Sequence, residues 1–206
     1  MVRYLGAIWA VSLMAGSLCA AGKKAAEPAS HKLGAGSQEL VVDALRVART
    51  NWSDDACFSQ LHYYHTHVRP GSSLVPEVFH FFFHSPTRPK RSFLVSFSAG
   101  LPLSHEEHAK RGGSSCITEM SVDSGDAIEI ALADGLRYGV RDKLDLKLYY
   151  FEDRSEMPIW AGKRLMGRTF WRACVGGRCR VVDAATGELI SPVDMELKAP
   201  KLKTPD

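Results

Sequence analysis

Cys174 and Cys179 enclose Val-Gly-Gly-Arg, and no other segment constrains the fold of this chain so tightly. A Gly-Gly centre suits a two-residue hairpin turn whose central residues need positive φ. Val175 and Arg178 then flank the turn as a hydrogen-bonded pair. Cys174 and Cys179 fall on the next, non-hydrogen-bonded pair, where Cα atoms stand about 4.5 Å apart and a disulfide can close. Closing so short a loop contributes about 2 kcal/mol in chain-entropy terms. Cys57 and Cys116 are left to pair with each other, a long-range link worth about 4 kcal/mol by the same reasoning. Their wide separation in sequence argues against a four-thiolate zinc site, which needs two close pairs.

Disulfides need an oxidising compartment, and the N-terminus offers the route to one. Arg3 is followed by an apolar stretch from Leu5 to Leu18 and by small residues at Cys19, Ala20 and Ala21. Residues 1–21 therefore read as a cleavable secretory signal, and a secreted or periplasmic location is expected. Removing Cys19 with the leader leaves four of the five cysteines, an even number suited to two bridges. The charge of the 206-residue chain is +3, from 26 basic and 23 acidic residues, too balanced for a dedicated nucleic-acid protein. No apolar run reaches the roughly 18 residues that a membrane-spanning helix requires. Apolar residues at 45% and charged residues at 24% match a globular composition.

The rest of the chain reads as one unit written twice. Residues 22–37 lack periodicity and read as a flexible linker. In residues 38–123, Leu40, Val41, Ala44, Leu45, Val47 and Ala48 recur at helical spacing up to Trp52. Strand-like runs follow at 58–68, 78–84 and 93–98, then a polar loop over 100–115 and a fourth run at 116–122. Residues 124–192 repeat the order, with a helix over 126–140 and strands at 144–152, 159–166, 169–175 and 178–182. The tyrosine pairs Tyr63-Tyr64 and Tyr149-Tyr150 sit at equivalent places in the two units. Residues 193–206 form a tail. The expected fold is α+β: two tandem units, each one helix packed on an antiparallel meander and each pinned by a disulfide.

Helix-then-meander in tandem resembles the cystatin-like fold, as doubled in latexin-type proteins. The second unit also resembles the end of a bacterial PepSY domain: Phe170-Trp171 precede the turn, and Val182-Asp183-Ala184-Ala185-Thr186-Gly187-Glu188-Leu189-Ile190 closes it. In that closing turn Asp183 can accept hydrogen bonds from the amides ahead of it, and Gly187 can take positive φ. The PepSY resemblance implies a protein partner, such as an extracytoplasmic protease or envelope protein, with this chain as inhibitor, chaperone or regulator. A cystatin-type Gln-x-Val-x-Gly inhibitory loop is absent from the sequence.

Two constellations carry chemistry. From Met157 to Val182 there is no acidic residue, and Arg168, Arg172, Arg178 and Arg180 lie on or beside neighbouring strands with Trp171 among them. One reading is a partner-binding basic face that meets an acidic protein surface or an anionic envelope surface. The other is an ordinary solvated face with Trp171 buried beneath it. The second constellation is histidine: seven of the eight lie in the first unit. Alternation puts His65 and His67 on one face of their strand and His80 and His84 on one face of the next. If those faces coincide, four imidazoles converge on Zn²⁺ or Cu²⁺. If they do not, the histidines are polar residues opposite a core of Phe79, Phe81 and Phe83. His105-Glu106-Glu107-His108 has the wrong spacing for a zinc-protease helix and reads as solvated loop. No Gly-x-Ser-x-Gly elbow or phosphate-cradling loop occurs. The expectation is a protein that binds without catalysing and carries no resident cofactor, the zinc or copper site being the alternative.

Overall fold

The computed structural model describes residues 36–66, 77–98, 100–109, 115–158, 161 and 165–191. The leader at 1–21, the linker at 22–37 except its last two residues, and the tail at 193–206 lie outside them. All described residues belong to one unit spanning 31–206. Helix α1 covers Ser37–Asn51 and is followed by β1 (Cys57–Thr66), β2 (Glu77–His84), β3 (Arg91–Ser98) and β4 (Leu101–Ala109). Helix α2 covers Ser124–Ala133 and is followed by β5 (Lys143–Tyr150), β6 (Thr169–Val175), β7 (Arg178–Asp183) and β8 (Leu189–Ser191). A single turn of 3₁₀ helix, Arg154–Glu156, lies between β5 and β6.

These strands form one eight-stranded antiparallel sheet in the order β4-β3-β2-β1-β5-β6-β7-β8. The expectation of two tandem helix-on-meander units is thereby corrected: the protein is mainly β, with one continuous sheet. The reason lies at the centre. β1 and β5 pair with each other from Leu61↔Leu148 to Thr66↔Lys143. Their pairing satisfies backbone groups that would otherwise form two open sheet edges. It also buries Leu61, Leu146 and Leu148 completely at the junction.

Both helices pack on one face of this sheet. Ala44 and Ala48 of α1, and Ala127, Ile128 and Ala131 of α2, share one core with Tyr63, Phe79, Phe81, Phe97 and Trp171. A smaller cluster lies on the opposite face, where Phe151, Ala161 and Leu165 cover Phe170 and Val181. Asp123 joins the helix starts. It precedes α2, yet its carboxylate accepts from the N–H of Gly36 at 2.8 Å and from the Ser37 hydroxyl, at the start of α1. The Ser124 N–H in turn donates to Ser37 Oγ at 3.2 Å. α2 stops at Ala133, earlier than its periodicity suggests. Gly135 takes φ +86° there, and the Gly135 and Leu136 amides bond back to Leu132 and Ala131, a Schellman ending.

Three further expectations change. The polar stretch after Gly100 is largely a strand, β4, exposed along almost its whole length. The run at 116–122 is irregular. Ile117 donates to the Phe58 carbonyl, and Ser121 and Val122 both donate to the Ala184 carbonyl, so the segment links β1 to the turn after β7. The run at 159–166 lies mostly outside the described residues, and Met166 at its end sits in a turn.

Candidate functional site

The β6–β7 hairpin forms as its residues dictate. Gly176 and Gly177 take φ +57° and +85°, and Val175↔Arg178 and Cys174↔Cys179 pair directly. Disulfides join Cys174 to Cys179 and Cys57 to Cys116, with Cα atoms 4.1 and 5.5 Å apart. The closing turn follows its residues too. Asp183 accepts from the amides of Ala185 (2.9 Å) and Thr186 (3.0 Å), and Gly187 takes φ +78°.

The basic set on these strands does not form one patch. Trp171 is fully buried against α2, and its indole N–H donates to the Val122 carbonyl at 2.9 Å. Of the two readings of this segment, burial of Trp171 is the one observed. Arg168 binds Asp183 at 2.5 Å. Arg180 binds Asp134, at the end of α2, at 2.6 Å and also reaches its carbonyl, a position that complements the helix dipole. Arg178 is exposed beside the turn and pairs across from Val175, on the helix side. Arg172 points to the other face, the face shared by Phe170 and its partner Asp183.

Register also separates the histidines. Residues opposite one another in an antiparallel pair share a face. His65 pairs with Glu77, in step with Tyr63↔Phe79, and so lies on the helix side, where its Nδ1 meets the Tyr138 hydroxyl. His80 and His84 alternate with Phe79, Phe81 and Phe83 and lie on the opposite side. β1 and β2 do form a hairpin pair, but their chosen faces do not coincide, so His65 cannot join His80 and His84 around one ion. His67 lies outside the described residues. Among the described residues, no three His, Cys, Asp or Glu side chains are grouped to hold a metal.

Register assembles something else instead. Ser96 opposes His80, His80 opposes His62, His62 opposes Lys147 and Lys147 opposes Arg172. These five residues cross β3, β2, β1, β5 and β6 in one straight row on the face away from the helices. At ordinary strand spacing the row is roughly 19 Å long. Beside it runs Tyr64, opposite Asp145, with Lys143 one step further on.

The row is locally bonded. His80 Nδ1 meets Ser96 Oγ at 2.8 Å, and His62 Nδ1 meets the Tyr64 hydroxyl at 3.3 Å. The His62 ring packs 4.9 Å from Phe82. Lys143 Nζ sits 4.2 Å over the Tyr64 ring, a cation–π contact, and Lys147 lies 3.4 Å from Asp145. Burial, aided by Lys147 and His80, pushes the His62 imidazole down to about 3, so it is neutral at pH 7. Burial and Lys143 push His80 down as well. Burial pushes the Tyr149 hydroxyl up to about 12. Among the described residues, Lys143, Lys147 and Arg172 share this face with Asp145, and Arg172 also bonds the Tyr149 hydroxyl. The Ser96–His80 pair has the spacing of a nucleophile and its base, but Ser96 is buried, which keeps a substrate from its oxygen.

Sequence reasoning named Arg172 and His80 but missed His62, Lys147, Ser96 and Asp145. The one signal was Phe79-Phe81-Phe83: with those three in the core, His80 faces outward, but which residue of β1 meets it depends on register. A pocket of about 290 Å³ lies elsewhere, on the helix side, lined by Val41, Phe58, Ile117 and Met120 among others. No protein-family model, curated protein or solved structure matches this chain.

Proposed function

We propose that this chain is an exported binding protein that holds a negatively charged group of its partner on the sheet face opposite the helices. The row Ser96–His80–His62–Lys147–Arg172 carries this reading, because it lines up donors and cations in register across five strands. The partner is an acidic surface presented by an extracytoplasmic protein or an envelope polymer. Export is supported by the two disulfides. Among the described residues no helix is long and apolar enough to cross a membrane. A sheet face suits binding because its side chains are held by the ladder and lose little freedom when a ligand arrives.

Retention on a dextran sulfate matrix tests the reading. Lys147→Glu with Arg172→Glu is expected to elute at markedly lower salt than the parent protein. Arg46→Glu with Arg178→Glu makes the same change in net charge on the helix side, since Arg46 is exposed on α1, and is expected to elute close to the parent. Equal losses for both pairs would mean that net charge alone governs retention, and the site would be discarded.

A further inference from the structure

At one end of the sheet the chain turns back in solvent with apolar residues at its tips. Leu101, Ser98, Val78, Tyr64 and Asp145 oppose one another in a row across β4, β3, β2, β1 and β5. β3 ends and β4 begins in that row, and β5 begins two residues before it, at Lys143. The β3–β4 turn and the loop from α2 to β5 therefore leave the sheet at the same end, roughly 19 Å apart at ordinary strand spacing. The α2–β5 loop is pinned. Leu136 is buried, and the Tyr138 hydroxyl meets His65 Nδ1. The Asp142 N–H donates to the Gly139 carbonyl at 2.9 Å, and the Gly139 N–H donates to the Asp142 carboxylate at 2.7 Å. Val140 and Arg141 form the tip of the turn so closed, and Val140 is 79% exposed. Turn tips ordinarily carry Gly, Pro, Asn, Asp or Ser, so folding does not account for a valine held there. Leu101 and Leu103, beside the other turn, are exposed as well.

Cations flank the valine. Arg137, Arg141 and Lys143 are all exposed. Arg168 and Arg180 are tied to Asp183 and Asp134, whereas Arg137 and Arg141 enter no ion pair among the described residues. Apolar tips beside unpaired cations fit a surface that is anionic outside and apolar beneath. We propose that this end of the sheet docks on an anionic lipid bilayer: Val140 and Leu101 enter the boundary between headgroups and acyl chains, and Arg137, Arg141 and Lys143 meet lipid phosphates. A protein partner would bury one contiguous apolar core. These tips stand on two connections four strand spacings apart, and a bilayer accepts each separately. None of these residues belongs to the row from Ser96 to Arg172, so the docking end is a second surface, beyond the anion-binding face.

The test is vesicle co-sedimentation of the disulfide-bonded protein, purified after export. The vesicles are phosphatidylcholine alone, or phosphatidylcholine mixed equally with phosphatidylglycerol. The parent protein is expected to bind the mixed vesicles about tenfold more tightly than the neutral ones. Arg137→Glu with Arg141→Glu is expected to lose about tenfold on the mixed vesicles. Val140→Ser with Leu101→Ser is expected to lose about threefold or more while keeping the salt dependence of the parent. Arg46→Glu with Lys90→Glu makes the same change in net charge on α1 and at the opposite end of the sheet, and is expected to bind like the parent. All the substituted side chains are exposed, and melting temperatures establish that each variant folds. Equal losses for the two charge-reversed pairs would reduce the effect to net charge and overturn the proposal. A serine variant that binds like the parent would leave adsorption without insertion and overturn it too. So would a parent protein that ignores both vesicle types; self-association lost in the serine variant would then give the tips to a second copy. None of these results bears on the dextran sulfate test of the row.

Discussion

Trp171 shows how one residue's role turns on burial. Between two arginines it has the composition of a contact residue, yet it is fully enclosed with its N–H satisfied by the Val122 carbonyl. Trp171→Ala is therefore expected to lower the unfolding free energy by about 3–5 kcal/mol, measured by denaturant titration, since a large cavity opens beneath α2. His62 supplies the second prediction at this scale. Its folded value, about 3, lies below the 6.5 of an unfolded histidine, so between these values the unfolded chain binds the extra proton. Stability from this group is full above pH 6.5 and is lost as pH falls toward 3. His80 is shifted in the same direction. Unfolding midpoints are expected to drop as the pH falls from 7 to 5, a window in which surface carboxylates still hold their charge. His62→Gln is expected to flatten that slope. A parent protein with equal midpoints at pH 7 and pH 5 would contradict the burial of the ring. The histidines were visible in the sequence, but which of them meet was not. His62 and His65 both flank tyrosines, which suit either face, and a shift of one residue reverses every side chain.

At the scale of elements, what reads well is what is local. The β6–β7 hairpin needs only residues 174–179, because turn geometry and cystine geometry agree within one short loop. The turn at 183–187 is likewise complete within itself. β4 is the contrary case. It is an edge strand with both faces mostly exposed, so nothing imposes apolar alternation, and His105-Glu106-Glu107-His108 looks like loop while it is strand. Leu101 and Leu103 are 70% and 58% exposed on this edge. The edge is guarded in the usual ways: Pro102 lacks an N–H, the ladder shifts register opposite it, and Glu106 places a charge on it. Pro102→Val with Glu106→Val is expected to form larger oligomers than the parent protein does in sedimentation velocity. A double variant that sediments like the parent would show that these guards are not what keeps the edge apart.

For the whole molecule, the β1–β5 pairing decides how the protein unfolds. Two tandem domains would melt independently. One sheet whose central strands come from the two halves of the chain, with both helices in a common core, should melt once. Calorimetry is expected to give one transition whose van't Hoff and calorimetric enthalpies agree, and residues 38–123 expressed alone should lack a cooperative transition. Two resolved transitions would contradict the shared core.

Residue order alone determined where the helices begin, where most strands run, which cysteines pair and how the two tight turns close. These are decided by spacing over a few residues, or, for the long disulfide, by elimination. Tertiary structure alone decided that the halves share a sheet, that Trp171 is core and that Ser96, His80, His62, Lys147 and Arg172 form a row. The physical reason is that backbone hydrogen bonds between strands carry no side-chain identity. Partner and register are therefore selected by the burial that the whole sheet achieves, and no single strand contains that information.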